Sequence, residues 1–366
     1  MQKMKRMVIA LAFGTLLAPG CARSFGDSNS SDQVFALMVS TYLTQNRPRF
    51  AYAANESANT VSMYRVESSG LLSPLGTVAS SSPSTVTVDP SGRFAFVSNN
   101  TPSQFSTFTI DSNTGMLSAL GISATGANPQ GSAVDVTGSF FYLVNQTAAT
   151  VSMYRINSGA LPTANGTIAT GTGPVRVAID PKSRFAFATN FTGNSISLYT
   201  MNASTGSLTA NGTQASVFGA AGICIDSTGR FLFANSNGGA LVSSASINQG
   251  TGTLTIVNSV ATGNAPLELA IHPSNRFLYS ANNTAGTVSI TSVDTTTGFL
   301  TPVGSVAAGT NPFGVRMHPT GAFLYVANTG SLDISMFAID QTTGGLTSLG
   351  SVPTGAGAKS IAIASF

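Results

Sequence analysis

Apolar runs of five to seven residues recur along most of the chain, each stopped by a turn rich in Gly, Pro, Asn, Asp or Ser. HPTGAFLYVANTGSLDISMFAIDQTTGGLTSLGSV (His318 to Val352) nearly repeats HPSNRFLYSANNTAGTVSITSVDTTTGFLTPVGSV (His272 to Val306). One aromatic anchors every copy: Phe50, Phe94, Phe140, Phe185, Phe231, Phe277 and Phe323, spaced 44, 46, 45, 46, 46 and 46 residues apart. Seven copies at one period predict seven equal structural units.

Each unit reads as four short strands. The first is PxxVxIDP-like (Pro174 to Pro181) and ends in a turn such as DPSGR (Asp89 to Arg93), where Pro and Gly supply the restricted and the permissive dihedrals. The second is FLYVAN (Phe323 to Asn328) and the third TVSMYR (Thr60 to Arg65, Thr150 to Arg155); a D-x-x-T-G-x-L hairpin leads to the fourth, LGSV (Leu349 to Val352). Strands this short leave no room for crossover helices, so the sheets are antiparallel. The predicted fold is all-β, a seven-bladed β-propeller of four-stranded antiparallel blades. The repeats begin at a second strand and end after a first-type strand, KSIAIASF (Lys359 to Phe366). The two terminal strands are therefore expected in one blade, a 3+1 clasp.

The N-terminus carries Lys3, Lys5 and Arg6, then VIALAFGTLLA, then Pro19-Gly20-Cys21, the pattern of an export signal over residues 1–20. The apolar run falls short of the roughly 20 residues that span a bilayer. A cysteine after small residues resembles a bacterial lipoprotein cleavage site, so Cys21 is the expected lipidation site. Ala22 after it points to the outer membrane by the same resemblance, and a periplasmic or secreted protein is the alternative. Residues 21–47 read as a tether with a short element, VFALMVSTYL (Val34 to Leu43), and residues 48–366 as the propeller.

Charge and cysteine count narrow the partners. Of 16 basic and 13 acidic side chains, three basic ones precede Cys21, which leaves 13 of each sign. Such a balance argues against nucleic acid and against an anionic lipid surface, leaving membrane contact to the lipid anchor. Only Cys21 and Cys224 are present, so no disulfide framework is expected. Cys224 lies between Ile223 and Ile225 and reads as a small core residue. Two histidines and no paired cysteines form no zinc constellation, and neither a metal nor a cofactor is expected.

The phrase P-x-x-V-x-x-H-P-x-G-x-F-L-Y-V-x-N, followed by T-V-S-x-Y and T-G-x-L, resembles the seven-bladed β-propeller lactonase family, which includes 6-phosphogluconolactonases, and also YVTN-type surface propellers. For an enzyme, the resemblance implies Pro-Arg-His leading into a first strand and Asn-Glu after a second. In place of Arg-His this chain has Ser84-Thr85, Gln130-Gly131, Val175-Arg176, Ala221-Gly222, Leu267-Glu268, Phe313-Gly314 and Lys359-Ser360. His272 and His318 fill the slot held elsewhere by Asp89, Asp135, Asp180 and Asp226, which makes them turn residues at the opposite end. Asn55-Glu56 matches Asn-Glu, but Asn recurs at 99, 145, 190, 282 and 328, where its tolerance of left-handed turns would account for it.

Subtracting the repeat leaves Glu56, Arg176, Glu268, Arg316, Asp333 and Lys359, all expected at one mouth of the channel. Glu56 and Glu268 are the catalytic candidates, and Arg176, Arg316, Lys359 and Asp333 the ligand-binding ones. Glu268 and Arg316, on neighbouring blades, are also placed to pair with each other. With no Arg-His pair, the expected function is an envelope-anchored, monomeric binding module for a protein, a glycan or a small anionic ligand, without chemistry. The alternative is a lactone hydrolase, in which Arg176 or Arg316 holds a carboxylate or phosphate and Glu56 or Glu268 activates water.

Overall fold

Twenty-eight strands, numbered β1 to β28 in chain order, form seven four-stranded antiparallel sheets in a computed structural model that describes residues 49–215 and 219–366. The expected export signal, the Cys21 lipidation site, the tether and the Val34 to Leu43 element lie outside the described residues. Six blades run in chain order from the inside outward, as in β4 (Pro83–Val88) to β7 (Leu117–Ala124). The other joins both ends of the chain: β28 (Ala358–Ala364) pairs with β1 (Arg49–Asn55), followed by β2 (Thr60–Val66) and β3 (Leu72–Ala79). Ala53 stands opposite Ile361 in that pairing, so the 3+1 clasp is present.

The innermost strands are β4, β8 (Pro129–Val134), β12 (Pro174–Ile179), β16 (Ala220–Ile225), β20 (Pro266–Ile271), β24 (Pro312–Met317) and β28. Each contacts the next around a closed circle, with β28 returning to β4. A blade meets a neighbour on both faces, so its second strand has no solvent side: β9 (Phe140–Asn145) is buried along its whole length, whereas the outermost β7 is largely open. That is why second strands read as continuous apolar runs rather than alternating ones.

The D-x-x-T-G hairpin fastens blade to blade. Gly115 packs on Phe50 of the preceding blade, Gly206 on Phe140, Gly252 on Phe185, Gly298 on Phe231, Gly344 on Phe277 and Gly70 on Phe323. At Gly115 an added Cβ would stand 2.2 Å from the ring, and its φ of +75° is a conformation glycine adopts without strain. At four joints a tyrosine two residues past the anchor also donates to that glycine's carbonyl, as Tyr52 does to Gly115 at 2.9 Å.

The recurring Asn has a different reason from the one expected. None of Asn55, Asn99, Asn145, Asn190, Asn282 and Asn328 has a positive φ, and all six are fully buried. Asn55 Nδ2 donates to Thr60 Oγ1 at 3.1 Å and Ser62 Oγ at 2.8 Å, and Asn145, Asn190 and Asn282 repeat the arrangement. The amide ties the second strand to the third. It also packs against a glycine of the loop entering the first strand, as Asn55 does against Gly355.

Candidate active site

The third residue of the seven innermost strands reads Thr85, Gly131, Arg176, Gly222, Glu268, Gly314 and Ser360, so glycines flank both charged side chains. The absent side chains make room. A Cβ on Gly131 would come within 2.6 Å of Arg176 Cδ, and one on Gly314 within 3.1 Å of Glu268 Oε2. Arg176 therefore reaches over the intervening blade, past Gly222, and its Nε meets Glu268 Oε1 at 3.1 Å. The two side chains are only 13% and 21% exposed, which strengthens their attraction. Val315 N donates to Glu268 Oε2 at 3.1 Å, and Arg176 Nη1 donates to its own residue's neighbour, Val175 O, at 3.0 Å. Arg176 Nη2 has no hydrogen-bond partner among the described residues.

A second ion pair stands at the rim. Lys359 Nζ lies 2.5 Å from Glu56 Oε2, and Asn100 Nδ2 donates to Glu56 Oε1 at 2.7 Å. The Phe313 ring centroid is 5.9 Å from both the Arg176 guanidinium carbon and the Lys359 ammonium, within reach of cation–π attraction. A mouth pocket of about 240 Å³ is lined by Arg176, Lys359, Gln130, Gln146, Phe191 and Phe313. A chamber of about 550 Å³ occupies the channel, lined among others by Arg176, Glu268 and Arg316. Arg176 belongs to both walls, so the Arg176–Glu268 pair stands where the two spaces adjoin.

The six candidates thus divide. Arg176, Glu268, Lys359 and Glu56 gather as two ion pairs. Arg316, fifth in its strand, lies farther along the channel, lines the chamber rather than the mouth pocket, and makes no ion pair with Glu268, whose carboxylate is engaged by Arg176 and Val315. Asp333 lines neither space. Its Oδ1 accepts from Asn328 Nδ2 at 2.8 Å, the place Thr60 and Thr150 fill in their blades, so it continues the repeat instead of departing from it. His318 sits in its turn with Nδ1 2.6 Å from Thr320 Oγ1, as Asp135 Oδ2 holds Thr137 Oγ1, with Arg49 Nη1 3.2 Å from its Nε2. The flanking glycines were missed in the sequence, although their alternation with Arg176 and Glu268 is written there.

A seven-bladed ring whose non-repeating charges converge on its channel defines the class, and the comparisons supply the family. The family model for "Lactonase, 7-bladed beta-propeller" matches residues 42–173, 122–219 and 167–316, well over half of the chain. The chain belongs to this family. A 6-phosphogluconolactonase of Sodalis glossinidius is 28% identical over 123 residues, 31% of this chain and 37% of that protein, so the match spans little more than a third of the relative's length. A candidate 6-phosphogluconolactonase of Bacteroides fragilis superposes with a TM-score of 0.78 at 22% identity, covering 87% of this chain and 99% of that one. The periplasmic gluconolactonase of Pseudomonas aeruginosa gives 0.76 at 20%, covering 86% and 99%. At these identities the structural likeness is one of fold. The expectation of a binding module without chemistry is corrected by these findings, since both the family and its matched relatives are named for lactone hydrolysis. Absence of Arg-His weighed too heavily in that expectation: charged groups do stand in its second position, as Arg176 and Glu268.

Proposed function

We propose that the protein is a lactone hydrolase acting where the mouth pocket adjoins the channel chamber. The observation that carries this reading is the Arg176–Glu268 pair, a carboxylate and a guanidinium held together, largely shielded from water, on the wall of the chamber. Both candidates have their two oxygens engaged, but Glu268 lines the chamber whereas Glu56 lines neither space, which makes Glu268 the better general base.

In the proposed reaction Glu268 takes a proton from water as the oxygen attacks the lactone carbonyl carbon. The carbonyl oxygen becomes an oxyanion facing Arg176 Nη2, a donor otherwise unengaged, which stabilises the developing charge. The ring C–O bond then breaks, Glu268 returns its proton to the departing alkoxide, and the product is an open-chain hydroxy acid. Lys359 and Arg176, each paired with a glutamate, present N–H donors to the mouth pocket, and Phe313 and Phe191 offer apolar faces for a sugar ring.

Acid release from D-glucono-δ-lactone, followed by pH-stat against the uncatalysed rate, tests the reading. Glu268→Gln should lower kcat by about 10²–10⁴-fold, and Glu56→Gln should leave most activity. No acceleration by the unmutated chain would sink the proposal. The cell envelope is the proposed location, supported by the Lys3 to Cys21 pattern; labelled fatty acid should enter the unmutated chain and not Cys21→Ser.

A further inference from the structure

The fifth residues of the innermost strands are Thr87, Ala133, Ala178, Cys224, Ala270, Arg316 and Ala362. Six are small, and the seventh is an arginine that lines the chamber together with Thr87, Ala133, Cys224 and Ala270. No hydrogen bond or ion pair joins its guanidinium to the described residues. The side chain is exposed where it lines the channel chamber, so solvent and small solutes can reach the guanidinium.

The carboxylates lining the chamber, Glu268 and Asp89, form no ion pair with Arg316. Glu268 is taken by Arg176 and Val315. Asp89 spends both oxygens on its own turn, Oδ1 on Phe94 N and Oδ2 on Ser91. Each innermost strand is a sheet edge with one backbone side unpaired within its blade, so main-chain groups border the channel. An unpaired guanidinium in a half-open chamber of about 550 Å³, whose wall also carries the Arg176 guanidinium, has the composition of an oxyanion site.

We propose that the channel chamber is an oxyanion-binding site centred on Arg316, which takes a small carboxylate or phosphate. Its occupant is either a free inorganic anion or the anionic end of a hydroxy acid. The proposal concerns binding alone and stands whether or not the chain hydrolyses lactones.

Calorimetric titration of the full chain at low ionic strength with inorganic phosphate, and separately with D-gluconate, tests it. Saturable binding is expected, weakened at least tenfold in Arg316→Ala, weakened less in Arg316→Lys, and unchanged in Arg93→Ala. Alanine already fills this position in four of the other six strands, so Arg316→Ala should fold, and its melting curve checks that. Should that variant fail to fold, Arg316→Lys decides: it keeps the charge without the planar fork, and affinity equal to that of the unmutated chain overturns the proposal. Binding of phosphate alone identifies a free inorganic anion as the occupant, and binding of gluconate the end of a hydroxy acid. Absence of saturable binding by either, or equal binding by Arg316→Ala, overturns the proposal.

Discussion

Arg176 and Glu268 meet at 3.1 Å although a whole blade stands between their strands, because Gly222 puts no side chain in the way. The pair depends on neighbours that contribute only their lack of a side chain.

Gly131→Ala tests that dependence. The new Cβ would fall 2.6 Å from both Arg176 Cδ and Val175 O, so the arginine and its strand must move. A displacement near 1 Å at a reacting group costs about a hundredfold in rate, and overpacking costs about 1–3 kcal/mol in stability. Turnover of D-glucono-δ-lactone should fall while the variant still melts cooperatively. Unchanged kcat/KM would mean that Arg176 is not positioned by Gly131.

His318 makes stability depend on pH. Burial, and then the Arg49 charge, lower its pKa from 6.5 to about 4, so the folded state resists a proton that the unfolded chain accepts. Nε2 faces the Arg49 guanidinium, and Nδ1 faces Thr320 Oγ1 and the Thr320 backbone N–H, so donors stand on both sides of the ring. The neutral form is the one the fold favours, so this stability is full above pH 6.5 and lost as pH falls toward 4. The loss is on the order of 3 kcal/mol. Chemical denaturation from pH 7.5 to 4 should show this slope, and His318→Asn should remove its share.

Cys224 should be a poor nucleophile. Cys224 is partly buried on the chamber wall; desolvation raises its thiol pKa, opposed by the Ile271 backbone hydrogen bond and aided by the Asp226 charge, so little thiolate forms near neutrality. In a Cys21→Ser chain, iodoacetamide at pH 8 should label Cys224 at least tenfold more slowly than in the urea-unfolded protein. Equal rates would place the thiol in open solvent.

Deleting residues 359–366 removes most of β28, which pairs with β1 from Phe50 to Asn55. Each buried backbone group left unpaired costs about 1–3 kcal/mol, against a total stability of about 5–15 kcal/mol. Aggregation or loss of cooperative melting is the expected outcome. A normal melting curve would show that the ring closes without the clasp.

The fold was legible because the seven aromatic anchors, Phe50 to Phe323, fix the period, and the order of strands at the two ends fixes the closure. The site was legible in part. Departures from the repeat identified Arg176, Glu268, Lys359 and Glu56 as charges apart from the scaffold, but Arg176 and Glu268 lie 92 residues apart, and only ring geometry brings them together. Arg316 was read as a mouth residue because position along a short strand does not reveal depth in a channel. Asp333 was read as a departure because a carboxylate replaces a hydroxyl there without changing the hydrogen bond it accepts. The Asn role was misread for a related reason: turn preference is a local property, whereas its amide binds two hydroxyls on the next strand.

Phe94 is the one anchor without a glycine seated on it. The facing hairpin is Asn157-Ser158-Gly159-Ala160 rather than D-x-x-T-G, and a Cβ on Gly159 would touch nothing within 4 Å. Aromatic rings take over there: Phe96 stacks on Phe141 with centroids 4.6 Å apart, and Phe105 lies against Tyr154 at 4.7 Å. Six seams are fastened by a part that fits one way, and this seam is glued by surfaces that adhere over a range of offsets. Under mechanical or thermal load, the circle should slide and part first between these two blades, one blade removed from the clasp. Amides of β5 (Phe94–Asn99) and β9 should then exchange with solvent before those of the clasp.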